Sequence, residues 1–172
     1  EEPWSEASAA WIADAVTAEV PLLAVCYGHQ LLAHGTGGRV GDNPRGREIG
    51  TVDLDFTSAA AEDPLFGPWA RDGGPRRVQE THVQSVLALP SGAELLASSD
   101  LDPHQAFRLG GSAWGVQFHP EFDAEIVRGY LEARGETIRG EGLDPEAIAQ
   151  AAEDSADGRE LLRRFVRLFA CS

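Results

Sequence analysis

Residues 22–32 read Leu-Leu-Ala-Val-Cys-Tyr-Gly-His-Gln-Leu-Leu, and this stretch limits the architecture most. Leu22–Cys26, without a polar break, describes a short strand buried on both faces. Pro21 stops whatever precedes it. From His29 to His34 the spacing turns helical, and Gly35, Gly37 and Gly38 end the run. A strand feeding a helix through a sharp turn is a unit of α/β architecture. Cys26 sits at that turn, with Ala24 two residues before it and Gly28 two after, small neighbours that tolerate strained backbone. A thiol there faces a helix N-terminus, whose dipole favours the thiolate. The Tyr27 N–H lies where it can donate to an oxyanion. Taken alone, the stretch fits two readings: an inert, buried cysteine packed as a small hydrophobe, or a nucleophile.

The surrounding pattern supports the α/β class. Apolar residues at Ala9, Ile12, Ala13, Val16 and Val20 predict a helix from about Ser5 to Val20. Arg47–Phe56 alternates as a strand, and residues 57–75 are broken by Pro and Gly, with one helical turn near Pro64–Ala70. Short strands follow near Arg76–His82, Glu94–Ser98, Ala106–Leu109 and Trp114–Phe118. Helices are expected at about 123–138, 144–153 and 158–170. There are no repeats, so residues 1–172 are read as one domain with a helical C-terminal segment from about 123.

Composition removes several function classes. A net charge of −14 works against phosphate backbones, so nucleic acid is not an expected partner. No apolar run reaches membrane-spanning length, and no membrane contact is expected. All 14 basic residues are arginine, which excludes a Schiff-base lysine or a P-loop lysine from this chain. With only Cys26 and Cys171, a disulfide framework is not expected, and a cytoplasmic setting is. No His, Cys, Asp or Glu cluster has metal-ligand spacing, so neither a metal nor a cofactor is predicted. There is no methionine at all, and the expectation is a sequence that begins inside a longer gene product.

The second informative element is Trp114-Gly115-Val116-Gln117-Phe118-His119-Pro120-Glu121-Phe122. Residues i and i+2 of extended backbone face the same way, so His119 and Glu121 project together. A carboxylate beside an imidazole fixes its tautomer and stabilises the imidazolium. The pair alone also fits a solvated strand end. Together with Cys26 it outlines Cys–His–Glu nucleophilic chemistry.

These residues carry a family resemblance. Cys-Tyr-Gly-His-Gln at 26–30 and Gly-Val-Gln-Phe-His-Pro-Glu at 115–121 resemble the two signatures of class I (triad-type) glutamine amidotransferase domains. Between them, Gly46–Gly50, Thr81–Val86 and Leu89–Ala93 are similar to intervening family segments, so the likeness runs over roughly residues 1–132. It is strongest to stand-alone, GMP-synthase-like members.

The resemblance implies a Rossmann-like, three-layer fold with a mostly parallel central sheet. It assigns Cys26 as nucleophile on glutamine, His119 as proton carrier, Glu121 as its orienting group and the Tyr27 N–H as half of the oxyanion hole. It places Gln30, Gln84 and Ser85 against the substrate. The product is ammonia, released through a γ-glutamyl thioester and passed to an acceptor on a separate synthetase. A γ-glutamyl peptidase or hydrolase on the same scaffold is the alternative, and a non-catalytic interaction module is a third reading. The family places two strands and a glycine-containing oxyanion loop ahead of the Ser5 helix. Residues 1–4 supply neither, so a sheet without its N-terminal strands is expected here.

Of the remaining residues, His29 is read as structural and His82 as open between site and structure. His34 and His104 are read as surface residues and Cys171 as an exposed thiol. Trp4, Trp11, Trp69 and Trp114 are read as core or edge packing, and the acidic stretch Glu141–Glu160 as a solvated helical face.

Overall fold

The computed structural model describes residues 4–170; Cys171 lies outside them. Helix α1 (Ser5–Thr17) buries Ser5, Ala9, Ile12 and Ala15 along one stripe. It is followed by strand β1 (Leu22–Val25), helix α2 (Tyr27–Gly35) and strands β2 (Arg39–Asp42) and β3 (Glu48–Phe56). A 3-10 turn at Ala59–Glu62 leads into the short helix α3 (Gly67–Asp72). Strands β4 (Arg76–His82), β5 (Gln84–Ala88), β6 (Ala93–Ser98), β7 (Ala106–Leu109) and β8 (Ala113–Val116) come next. Helices α4 (Ala124–Gly140), α5 (Pro145–Ala151) and α6 (Asp157–Phe169) close the described chain. Asp123 and Asp144 cap α4 and α5 by accepting the Ile126 and Ala147 N–H groups.

The α/β class holds. The main sheet has the order β1-β8-β7-β6-β3-β4, and β2 pairs with β5 in a two-stranded sheet of its own. Pairing is parallel between β1 and β8 and antiparallel at the other four junctions, so within the described residues the sheet is mixed. The cause is local: β7 and β8 are joined by only Gly110–Ser112, too short for a parallel crossover. Strands β2 and β5 are absent from the sequence reading.

Successive residues of β1 point to opposite faces. Leu23 and Val25 pack with Trp114, Phe66, Trp69 and Leu161 on one side. Leu22 and Ala24 pack with Ala9, Ile12, Leu32 and Phe107 on the other. The sheet is thus sandwiched between α1 and α2 on one face and α3 and α6 on the other. The indole of Trp114 donates to Asp63, whose carboxylate also accepts the Leu65 and Phe66 N–H groups at 2.8 and 2.9 Å.

Two surface expectations are corrected. Trp11 is 66% exposed, because α1 turns Ser5, Ala9, Ile12 and Ala15 inward, whereas Trp4, 52% exposed, does pack at the edge, against Tyr27. The acidic C-terminal stretch is not merely solvated: Glu141 pairs with Arg47 at 2.5 Å, and Glu146, Glu153 and Asp157 pair with Arg139, Arg77 and Arg76.

Candidate active site

Cys26 ends β1 and caps α2. Its N–H continues the parallel pairing by donating to the Val116 carbonyl at 2.8 Å, while its φ of 49° and ψ of −105° bend the chain abruptly into the helix. A positive φ in a non-glycine residue is strained and persists only where its surroundings over-determine it. Here β8 holds the N–H and the first α2 bond, Gln30 N–H to Cys26 C=O at 3.2 Å, holds the carbonyl. The early N–H groups of α2, Tyr27 among them, have no acceptor within the helix. The Tyr27 side chain is 37% exposed and turns to α1, its hydroxyl 2.5 Å from Ser5 Oγ and its ring edge-on to Trp4.

β8 delivers the partner group. Beyond Val116 the buried Gln117 and Phe118 anchor the chain, and the His119 N–H donates to the Gln79 carbonyl of β4 at 2.8 Å. His119 Nδ1 lies 2.8 Å from Glu121 Oε1, within a turn and not along the extended backbone the spacing predicts. The imidazole stacks on Phe122, with centroids 4.1 Å apart and planes 14° apart. With Nδ1 held by Glu121, Nε2 is the nitrogen left for the nearby Cys26 side chain. Burial opposes the imidazolium, but Cys26 and Glu121 outweigh it and push the His119 pKa up to about 9. Cys26 and His119 thus follow the ends of two neighbouring parallel strands, β1 and β8, with Glu121 on His119 Nδ1.

The residues expected against the substrate are also gathered. The Gln30 amide donates to the Gln84 carbonyl at 2.8 Å and to Gln117 Oε1 at 3.1 Å. Gln84 extends its own side chain towards Asp42. The Ser85 side chain is buried, its hydroxyl 3.5 Å from His82 Nδ1, so this residue can offer a ligand only its backbone. A cavity of about 120 Å³ opens beside these groups, lined by Ser5, Glu6, Tyr27, Gln30, His34 and Gln84. Larger clefts of about 610 and 670 Å³ lie along α4–α5 and beside β3, and none of the three cavities is lined by Cys26, His119 or Glu121. The small cavity is the one lined by residues expected at the site, Tyr27, Gln30 and Gln84.

The histidines divide cleanly. His29 is fully buried over Gly115, its ring 5.0 Å from Phe107, and burial pushes its pKa down to about 3, as befits a neutral packing residue. His34 is exposed and meets Glu6 at 3.0 Å. His104 is half-buried and not a free surface residue, because its Nδ1 is tied to the Val86 carbonyl at 2.6 Å.

His82 belongs to a buried cluster that sequence spacing does not show. Glu48 of β3 stands opposite His82 in β4, and Glu80 lies two residues earlier in β4. His82 Nδ1 faces the Gln84 carbonyl at 2.9 Å, so that nitrogen donates. Nε2 is then aimed at Glu48 and Glu80, at 3.1 and 3.4 Å. One ligand atom from each of the three lies within 4.8 Å of the others, the one metal-type grouping among the described residues. A shared proton meets the same electrostatic demand. Burial, followed by the charges of Glu48, Cys26 and Asp102, holds the Glu80 carboxyl well above its ordinary range. Ser99 and Gln105 each donate to Glu48 at 2.6 Å.

Comparison with known proteins bears on the geometry. The family model for glutamine amidotransferase class-I matches residues 2–130. The chain belongs to this family. Among relatives of this class I amidotransferase chain is a glutamine-hydrolyzing GMP synthase subunit of Halobacterium salinarum. It is 38% identical over 62% of this chain and 55% of that protein. Its counterpart in Thermococcus kodakarensis is 38% identical over 68% of the chain and 62% of that protein. The chain thus spans little more than half the length of these relatives. A crystal structure of a glutamine amidotransferase from Thermotoga maritima superposes with a TM-score of 0.78 at 26% identity, over 99% of this chain and 71% of that one.

Proposed function

We propose that this chain hydrolyses the side-chain amide of glutamine through a γ-glutamyl thioester on Cys26. The observation that carries the reading is that Cys26 and His119 follow the neighbouring parallel strands β1 and β8, with Glu121 hydrogen-bonded to His119 Nδ1. The Cys26 thiolate attacks the carboxamide carbon, forming a C–S bond and an oxyanion to which the Tyr27 N–H donates. The His119 imidazolium gives its Nε2 proton to the departing nitrogen, the C–N bond breaks and ammonia leaves. Neutral His119 then takes a proton from water, whose oxygen attacks the thioester. The C–S bond breaks, glutamate departs, and the thiolate and imidazolium are restored. Throughout, Glu121 accepts from Nδ1–H and keeps Nε2 aimed at sulfur.

Gln30 and Gln84 line the small cavity, and in this reading they hold the amino-acid end of the substrate together with the Ser85 backbone. The relatives' names support the substrate class and, because each is one component of a larger GMP synthase, support a separate synthetase partner that accepts the ammonia. The test is glutamate release by the full protein from glutamine and from γ-glutamyl peptides. Glutamine is expected to be turned over, with Cys26→Ser slower by on the order of 10⁴ or more. Preference for the peptides would point to a γ-glutamyl hydrolase. Equal, slow release by wild type and variant would remove the catalytic reading.

A further inference from the structure

A group outside the proposed triad lies against the sulfur. Gln117, fully buried just beyond β8, places Nε2 3.6 Å from Cys26 Sγ. Its Oε1 accepts from Gln30 Nε2 at 3.1 Å, and Gln30 Nε2 also donates to the Gln84 carbonyl at 2.8 Å. The direction of this chain is settled by its far end. A backbone carbonyl only accepts, so Gln30 must present its NH₂ group to Gln84. The second hydrogen of that group then demands an acceptor, which turns the Gln117 oxygen towards Gln30. What remains to face Cys26 is the Gln117 NH₂, a donor. His82 Nδ1 takes the other lone pair of the Gln84 carbonyl at 2.9 Å, so the anchor is engaged from both sides and held by the buried Glu48–His82 pair.

We propose that Gln117 is a further catalytic group in this site, an oriented N–H donor to the Cys26 thiolate, with Gln30 as the positioning residue that keeps the donor end on sulfur. The inference rests on the reading of Cys26 as the nucleophile. A donor beside sulfur favours the anion over the neutral thiol, because a hydrogen bond to a charged group is stronger than one to a neutral group. In a buried site that preference is larger than in water. Gln117 thus adds to the His119 imidazolium and the N-terminus of α2 on the same atom. It also links the wall that receives the substrate to the atom that attacks it. Displacement of the Gln30 amide by a ligand is felt at sulfur through one intervening side chain.

The experiment follows Cys26 alkylation by iodoacetamide across pH, read by peptide mapping so that Cys171 does not interfere, alongside glutamate release. In Gln117→Leu, alkylation at pH 7 is expected to fall about tenfold and to rejoin the wild-type rate above pH ~10, where any thiol is ionised. Gln117→Glu, which keeps the shape but replaces the donor with an acceptor, falls further. Gln30→Leu gives an intermediate loss. A loss of equal size at every pH, or none, overturns the proposal. Should the variants fail to fold, the wild-type ¹⁵N resonance of the Gln117 amide decides: it must shift with the ionisation of Cys26, and a resonance that ignores it overturns the proposal. If wild type alkylates as expected but releases no glutamate, the hydrolytic reading fails while the donor stands. If wild type turns over and Gln117→Leu matches it in both assays, the donor fails while the hydrolytic reading stands.

Discussion

Gly158, in the first turn of α6, lies directly against the backbone that joins His119 to Glu121. A Cβ added there would stand 2.5 Å from the Pro120 carbonyl oxygen, 2.8 Å from its Cα and 2.9 Å from its carbonyl carbon. All three are backbone atoms, so no side chain can rotate away. In an open helix, Gly→Ala gains up to about 1 kcal/mol from propensity. Overpacking against fixed atoms costs about 1–3 kcal/mol, so Gly158→Ala is expected to lose a net 1–2 kcal/mol or so. Relief can come only by moving α6 or the 119–121 turn, and a shift of about 1 Å in that turn costs on the order of 100-fold in rate. Gly129 in α4 is the control, because a Cβ there meets nothing within 4 Å. Gly129→Ala should gain about 1 kcal/mol and leave the site untouched. The assay is urea unfolding at constant m-value together with glutamate release. If Gly158→Ala were as stable as Gly129→Ala and fully active, the role of α6 in holding the His-Pro-Glu turn would be refuted.

Three further outcomes are expected. ¹⁵N NMR of the histidines should place the His119 midpoint near 9, falling towards 6.5 in Cys26→Ala. Because the folded value is the higher one, the associated stability is complete below about 6.5 and is lost as pH rises through about 9. Glu80 also binds its proton more tightly when folded, chiefly through burial. Its contribution is complete below the unfolded value near 4.5 and declines as pH climbs towards the raised folded value. Glu80→Gln should therefore gain on wild type between urea midpoints taken at pH 5 and pH 8. Asp63 is fully buried with Arg108 at 3.3 Å and the Trp114 indole at 3.1 Å, so Asp63→Ala should cost about 3–5 kcal/mol in unfolding free energy.

Much of the local architecture was legible because it depends on near neighbours in the chain. The Leu22–Val25 run, the small residues around Cys26 and the helical spacing after it describe β1, the turn and α2 without tertiary knowledge. The i, i+2 spacing of His119 and Glu121 also anticipated their 2.8 Å contact, although a turn makes it. What sequence did not show depends on register and on distant packing. Glu48 meets His82 only because β3 and β4 pair at that register. Gln117 reaches Cys26 across 91 positions of sequence. Strands β2 and β5 were missed because four and five residues in a two-stranded ribbon, with Gly41 inside β2, carry too little alternation to be seen. Trp11 looked like core because it is large and apolar, and only the packing of α1 shows which stripe faces inward.

The central claim is that Cys26 carries the glutamyl group. The most direct measurement is covalent labelling of the full protein with a diazoketone analogue of glutamine, followed by peptide mapping. The expected result is an adduct on Cys26 alone, prevented by excess glutamine. An adduct on Cys171, an adduct that glutamine does not prevent, or no adduct at all would contradict it.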